Sequence, residues 1–294
     1  MTELELILQT IINSLIASSF TAIFAVGLVL IFGIMQTVNF AHGAIYMVGA
    51  FATWYLYSEV GLPFVVAVIL ATLLCAALGL FMERVLFRPM QGNLFGGLIV
   101  SVGMMFILEV LSVYLFGQGL MKNMVPVFKE SWHVFGIESV TVANSRLLVF
   151  AVTTFILGAF WIFMTRTRLG WAMRACAQNP EAAALQGISI GKISMLAMVI
   201  SAAMAGAGGA VMAPLVRITP QMGHSVLITA FIVMIVGGMG SIEGALIAAF
   251  AYSFFHTFVT TYVGGEIATI LGLVLMLMFL IVKPTGLMGE RESV

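Results

Sequence analysis

Apolar runs that reach or approach about 20 residues recur along almost the whole chain, and only short polar segments separate them. A helix of that length crosses the hydrocarbon core of a bilayer. With 62% hydrophobic and 8% charged residues, the chain has too few polar side chains to cover a soluble globule of 294 residues. The alternating pattern of an outer-membrane barrel is absent. The sequence therefore predicts an all-α integral membrane protein.

The apolar runs divide into nine predicted spans within one transmembrane domain, residues 1–294. The predicted spans are 6–35, 40–57, 63–83, 95–116, 147–164, 193–213, 223–239, 243–262 and 266–282. Segments 40–57 and 223–239 are short, so each either crosses the membrane or is a half-helix or re-entrant piece. We therefore expect a polytopic helical bundle of eight or nine spans. Eight spans would move the amino terminus to the inner side.

Basic residues near the span ends fall into three groups, which nine crossings place on one side of the membrane. The groups are Arg84 with Arg88, Arg166 to Lys192, and Lys283 with Arg291, while Lys122, Lys129, Arg146 and Arg217 lie on the other side. Eight basic residues thus face four, and the positive-inside rule makes the side with eight cytoplasmic. We expect a cytoplasmic carboxyl terminus and an amino terminus outside.

The helical pattern is interrupted near residues 36–43 and 237–244. The sequences there are Gln36-Thr-Val-Asn39-Phe-Ala-His42-Gly43 and Gly237-Gly-Met-Gly-Ser-Ile-Glu-Gly244. Two such interruptions in a transporter-like chain predict broken helices whose irregular backbone lines a path. The alternative is two cytoplasmic turns between ordinary helices. Asn39 and His42 then tie the first turn to its neighbours by hydrogen bonds, a structural role that competes with proton or metal chemistry at His42.

Ionisable residues inside spans are costly and need a physical reason. Glu109 lies deep in span 95–116, with no positive charge within helical reach. We expect its carboxyl group to be protonated, paired across helices or facing water, and a structural hydrogen bond competes with a functional role. His256 in span 243–262 has the same two interpretations. Our candidates for the substrate path are Asn39, His42, Ser101 and Glu109.

A polar segment, about residues 165–192, separates two apolar runs and is predicted to contain a short capped helix. Asn179 fits an N-cap, Pro180 the first helical position and Glu181 the first turn. Gly187 suits a left-handed helix end. So short a helix needs a surface to pack on, either the ends of its own spans or another protein. The predicted docking residues are Asn179, Pro180, Glu181, Ala182, Ala183, Leu185 and Gly187, with Arg166, Arg168 and Arg174 just before them.

The motifs of common enzyme classes are missing. Segment 187–193 has the wrong spacing for a phosphate loop, and the chain contains no Asp. Cys75 and Cys176 share no motif and cannot form a metal site alone. The basic residues form no continuous stripe, so nucleic-acid binding has no support. We expect a protein that is not an enzyme and that has no catalytic residues, cofactor, metal or nucleic-acid partner.

Four motifs in order carry a resemblance to a known family. They are Gly27-Leu-Val-Leu-Ile-Phe-Gly33 with Val38-Asn-Phe-Ala-His-Gly43, Glu83-Arg-Val-Leu-Phe-Arg-Pro89, Arg174-Ala-Cys-Ala-Gln-Asn-Pro-Glu-Ala-Ala-Ala-Leu-Gln-Gly187, and Gly237-Gly-Met-Gly-Ser-Ile-Glu-Gly244. From about residue 10 to residue 289 the chain resembles the LivH-type permease of branched-chain amino-acid ABC importers. Segment 181–187 also looks like the Glu-Ala-Ala-x3-Gly cytoplasmic motif of ABC import permeases. The Leu-Pro pair expected further on is absent.

The resemblance implies one subunit of a larger machine in the bacterial inner membrane. Its expected partners are a LivM-type sister permease, two cytoplasmic ATP-binding subunits that dock on the polar segment, an extracytoplasmic substrate-binding protein and membrane lipid. Branched-chain amino acids are the first expectation for the substrate, and broader amino-acid sets, urea or short amides are alternatives. A stand-alone secondary transporter is a rival from another class, although Glu109 and His256 are few coupling groups. A membrane scaffold is the second rival.

Overall fold

The computed structural model describes residues 2–117, 121–125, 127–128, 130–133 and 139–289. Lys129 and Arg291, two of the basic residues used above, lie outside the described residues. Within the described residues the chain forms eleven α-helices: α1 (Glu3–Met35), α2 (Ala41–Trp54), α3 (Phe64–Phe81), α4 (Leu94–Phe116), α5 (Asn144–Arg166), α6 (Arg168–Gln178), α7 (Pro180–Leu185), α8 (Ile190–Met212), α9 (Met222–Gly237), α10 (Ile242–Tyr262) and α11 (Gly265–Val282). Strands β1 (Ser131–His133) and β2 (Thr141–Ala143) pair antiparallel.

Seven of the described helices are long and apolar enough to cross a membrane, namely α1, α3, α4, α5, α8, α10 and α11. Helices α2 and α9 have only 14 and 16 residues and correspond to the two short predicted segments. Helix α9 therefore spans about 24 Å, less than the roughly 30 Å of the hydrocarbon core. Single π-helical turns at Tyr55–Glu59 and Met82–Phe87 lengthen α2 and α3. The predicted polytopic helical bundle is confirmed.

Helix α1 forms the centre of the bundle. It packs against α5, α8, α9 and α10, and every residue from 22 to 31 is buried. In the most apolar stretch of α1, 72% of the residues are buried. The corresponding share in α11, which lies at the edge of the bundle, is 11%. A helix that is apolar on all sides is stable only where other helices or lipid surround it. The apolar faces of the peripheral helices are therefore suited to lipid or to a partner subunit.

Three helices approach one another so closely that their contacts require glycine. Gly49 of α2 faces the backbone of Gly206 in α8, and a Cβ at Gly206 would overlap Cys75 of α3. One turn further along α8, Gly209 lies against the carbonyl group of Tyr46. A side chain at any of these glycines would push the neighbouring helix away. Glycine therefore sets the spacing of α2, α3 and α8.

The first and last segments that the structure describes lie at opposite ends of the bundle. The side chain of Gln9 in α1 hydrogen-bonds the backbone of Thr141 in β2 at 3.1 and 3.0 Å, so the first residues lie beside the hairpin. The tail after α11 lies at the other end, where the Leu287 amide donates to the Val236 carbonyl oxygen at 2.8 Å. This arrangement matches the one predicted from nine crossings.

Replacing Gly49 by Ala should destabilise the bundle, because the new Cβ overlaps the Gly206 backbone and α2 must move away from α8. Overpacking of this kind costs about 1–3 kcal/mol. Gly103→Ala is the matched control, since a Cβ at that position in α4 meets open space. We expect a lower melting temperature of the purified protein in detergent for Gly49→Ala only. Equal melting temperatures for the two variants would contradict the close contact.

Candidate docking surface and substrate path

Helix α6 is an amphipathic helix that covers one end of the bundle. The Thr167 hydroxyl caps it by accepting a hydrogen bond from the Gly170 amide at 3.0 Å. Met173 and Cys176 are buried, whereas Arg174 is exposed. Burial raises the pKa of the Cys176 thiol, because the thiolate loses its hydration. The helix therefore has an apolar face toward the bundle and a basic face toward its surroundings.

Helix α7 has the caps predicted from its sequence. The side-chain oxygen of Asn179 accepts a hydrogen bond at 2.9 Å from the amide three residues on, and Pro180 is the first helical residue. Glu181 lies in the first turn, near the positive end of the helix dipole. The helix ends at Leu185, and Gly187 takes a φ of +80°. The short capped helix is therefore present, while its docking role stays a prediction.

Most of the predicted docking residues lie at the surface. Leu185 is 88% exposed, the highest value among the large apolar side chains of the described residues. Ala183 is only 4% exposed, so it anchors α7 to its own chain and does not face a partner. The other predicted docking residues, of which only Pro180 is partly covered, are Asn179, Pro180, Glu181, Ala182 and Gly187. Arg166 and Arg168 are exposed beside this surface.

The second interruption is a turn at the same end of the bundle as α6. A Cβ at Gly33, near the end of α1, would lie 3.2 Å from the Cα of Gly240 and 3.7 Å from the Cβ of Ala177 in α6. Gly240 has a φ of +89°, Met239 is 50% exposed, and the Ser241 hydroxyl caps α10. The second interruption thus fits the predicted alternative of a turn between ordinary helices.

The first interruption lies inside the bundle. Asn39 and His42 are fully buried. His42 Nε2 lies 3.0 Å from the carbonyl oxygen of Phe24, which precedes the end of α1 by about 16 Å along the helix. The chain therefore leaves α1 at Met35 and returns into the bundle before α2 begins at Ala41. The first interruption is therefore a stretch of irregular backbone buried inside the bundle, and not a turn at its surface.

Side chains satisfy the backbone amides of the first interruption that have no partner in a helix. The Asn39 carboxamide oxygen accepts a hydrogen bond from the Ala41 amide at 3.1 Å. The Ser101 hydroxyl of α4 accepts one from the Phe40 amide at 3.2 Å. Buried amides without such partners would be costly. Asn39 and Ser101 therefore hold the interruption against α4, and whether they also contact substrate stays a prediction.

His42 joins three helices. Its Nε2 donates to the Phe24 carbonyl oxygen of α1, because a carbonyl group cannot donate, and its Nδ1 lies 3.4 Å from the Ser201 hydroxyl of α8. Ser201 itself donates to the Gly27 carbonyl oxygen at 2.6 Å. Among the described residues no group of metal-binding side chains assembles. The predicted structural interpretation of His42 matches these contacts.

Glu109 is paired across helices, one of its three predicted environments. Its Oε1 lies 2.5 Å from Nε2 of His224 in α9. The Glu109 side chain is 11% exposed and that of His224 is 45% exposed. Sequence reasoning missed His224, although a histidine in the first turn of a short apolar segment is a usable signal. His256, the other histidine considered, contacts Thr260 of its own helix at 3.4 Å.

Helix α9 exposes polar side chains on one face. Gln221, His224 and Ser225 are exposed and lie three and four residues apart, so they share that face. Polar groups of this kind are costly in lipid. Water or a partner protein therefore suits this face better than lipid. Helix α4 carries Ser101 at the first interruption and Glu109 about 12 Å further along its axis.

The chain is similar to permeases of branched-chain amino acid transport. The family model described as branched-chain amino acid transport system, permease component, matches residues 10–282. The high-affinity branched-chain amino acid transport system permease protein BraD of Pseudomonas aeruginosa is 31% identical over 99% of each chain. The corresponding LivH protein of Escherichia coli K12 is 29% identical over 97% of this chain and 96% of its own length. No solved structure matches the chain.

Replacing Asn179 by Ala should loosen α7, because it removes the side chain that satisfies a free amide at the helix start. Loss of such a cap costs about 1 kcal/mol, which corresponds to roughly fivefold faster hydrogen exchange of segment 180–185. Gln178→Ala, one residue earlier and also exposed, is the control. Hydrogen–deuterium exchange read by mass spectrometry checks the prediction. Unchanged exchange in Asn179→Ala would contradict the capping role.

Proposed function

The chain belongs to the permease family of branched-chain amino acid transport systems, and from this we propose that it is the transmembrane subunit of an ATP-driven importer. Substrate reaches it from an extracytoplasmic binding protein, and separate subunits hydrolyse ATP. The observation that carries the proposal is helix α7, a six-residue capped helix exposed at one end of the bundle. A subunit that drives itself has no need of such a helix.

Helix α7 has the physical properties of a docking element. An isolated helix of its length is unstable in water, and only Ala183 of its residues is buried against the chain. Leu185 is almost fully exposed at its end. Burying a leucine side chain contributes about 1.5–3 kcal/mol, so a groove on an ATP-binding subunit would gain by accepting it. Arg166 and Arg168 add positive charge beside this surface.

Helix α7 is connected through a short segment to α8, a helix long enough to cross the membrane. Three residues after Gly187 the chain enters α8, the helix whose glycines contact α2 and α3. The motif at 83–89 lies against the same point, because a Cβ at Gly191 would be 3.3 Å from a guanidinium nitrogen of Arg88. When the ATP-binding subunits close and move α7, α8 therefore moves with it and opens the path alternately to each side.

Branched-chain amino acids are the proposed substrates, as the names of the BraD and LivH relatives state for those proteins. Asn39, His42, Ser101 and Glu109 are the proposed path residues. A binding protein that captures the amino acid leaves the permease with little selectivity to supply, which agrees with so few polar groups along an apolar bundle. Broader amino-acid sets, urea and short amides are the alternatives that uptake competition would separate.

The remaining subunits are a LivM-type sister permease and two cytoplasmic ATP-binding proteins. The sister permease would cover apolar faces that lipid does not cover, and the polar face of α9. We assign α6, α7 and the tail after α11 to the cytoplasm, because basic residues collect at this end of the bundle. The membrane is the bacterial inner membrane.

A cysteine at Leu185 tests this sidedness. Leu185→Cys places an exposed thiol at the proposed docking surface, while the native Cys75 and Cys176 are buried and give little background. A membrane-impermeant maleimide should label the variant in inside-out vesicles and not in intact cells. Tyr262→Cys, an exposed position at the far end of α10, is the control and should show the opposite pattern. Labelling of Leu185→Cys in intact cells would overturn the orientation.

Affinity purification from native membranes in mild detergent tests the function most directly. We expect ATP-binding subunits and a sister permease to accompany the wild-type chain. Glu181→Lys should lower the recovery of the ATP-binding subunits, because lysine opposes the helix dipole and reverses the charge of the docking surface. Recovery of the chain alone in several detergents would favour a stand-alone secondary transporter.

Transport assays on variants of α7 test the coupling. Glu181→Lys and Gly187→Leu should each lower amino-acid uptake about tenfold or more while the protein remains in the membrane. The second variant forces leucine into the φ of +80° that ends the helix. Matched controls lie at the opposite end of the bundle: Glu266→Lys also alters a first helical turn, and Gly61→Leu also strains a φ of +80° in open space. Wild-type uptake in both α7 variants would contradict the docking role.

A further inference from the structure

The pair formed by Glu109 and His224 is unusual among the polar contacts of the bundle. It is the one contact between oppositely chargeable side chains found among the described residues, and it joins α4 to α9. The two side chains of the pair differ in how much of their surface is exposed. The carboxylate is 11% exposed, whereas the imidazole is 45% exposed and belongs to the polar face of α9. The imidazole therefore covers the carboxylate and can move outward without unpacking the core.

A buried carboxylate needs a donor close to it. Without a partner its charge would be severely destabilised in the low-dielectric surroundings of a membrane protein. His224 meets this need at 2.5 Å. Any group that displaces the imidazole must bring a hydrogen-bond donor, preferably a cation. An alkylammonium group satisfies this requirement.

The other half of the pair has the complementary requirement. When it is released from Glu109, the imidazole of His224 has a ring N–H without an acceptor, and a carboxylate group supplies an acceptor. A molecule with an ammonium and a carboxylate on one carbon can therefore insert between the two side chains and satisfy both. The pair would open and each half would bind the oppositely charged group of an amino acid.

Apolar residues lie about one helical turn from the Glu109–His224 pair, toward the α6 end of the bundle. Met105 precedes Glu109 by four residues on α4, and Ile228 follows His224 by four residues on α9, so each lies on the helix face of its neighbour in the pair. Met105 is 9% exposed and Ile228 is 41% exposed. Because α4 and α9 run in opposite directions, both residues lie one turn toward the α6 end of the bundle. An amino acid held by the pair would thus have apolar surface beneath it for a branched side chain.

We propose that Glu109 and His224 form a zwitterion subsite, in which Glu109 binds the ammonium group and His224 the carboxylate group of an aliphatic amino acid. The proposal rests on the proposed function and names the substrate contact within it. In the absence of substrate the two side chains bind each other and close the site.

The test uses the complete importer, with its sister permease, ATP-binding subunits and binding protein, reconstituted in proteoliposomes. The measured quantity is the number of leucine molecules imported per ATP hydrolysed. Glu109→Gln keeps a hydrogen bond to His224 and removes the charge, so we expect this ratio to fall about tenfold or more. Glu109→Asp keeps the charge on a shorter side chain and should restore a large part of the ratio. His224→Gln should also lower it.

Two comparisons separate a substrate contact from a structural one. His256→Gln, on α10, alters another partly buried histidine away from the pair and should leave the ratio at the wild-type value. If the pair only joins α4 to α9, the hydrogen bond kept by Glu109→Gln would give wild-type transport, and that result would overturn the proposal. Failure of Glu109→Gln and His224→Gln to assemble with the sister permease would overturn it as well. No leucine uptake by the wild-type complex would instead contradict the proposed function.

Discussion

The absence of water inside a bilayer is the constraint on which this structure depends. Every buried amide there needs a partner within the protein, so a helix can be interrupted only where side chains replace its lost hydrogen bonds. The segment between α1 and α2 meets this condition, because Asn39 and Ser101 accept from two free amides and His42 binds the α1 backbone. Helices α1 and α4 thus contact a stretch of irregular backbone whose amides would have no hydrogen-bond partners in lipid.

The end of the molecule that carries α7 follows a different rule, because the structure of α7 is local. The caps of α7 come from residues within one turn of the helix, and they are present without any partner. What such a helix lacks is buried surface, since Ala183 alone is covered. A short helix with good caps but little packing gains stability when another protein covers its exposed residues.

Sequence patterns predicted the parts of the structure that local physics determines. Long apolar runs gave the spans, and Asn179, Pro180 and Gly187 gave the ends of α7. Patterns could not distinguish the two interruptions, because whether a break lies inside the bundle or on its surface depends on packing of distant helices. The partner of Glu109 was missed for the same reason, since 115 residues separate it from His224. The inward face of Ala183 likewise depends on how α7 sits on the bundle.

The glycine contact between α2 and α8 has a mechanical consequence. Two backbones in direct contact, with no side chains between them, have no flexible layer that permits sliding or rolling. We therefore expect α2 and α8 to move together as one rigid unit, with α7 attached through the start of α8. Segment 36–40 is the only non-helical segment between α1 and α2 in the part of the chain that the structure describes. If α2 and α8 tilt together relative to α1, the backbone of this segment must therefore change its conformation. Segment 36–40 is thus the expected hinge between α1 and α2.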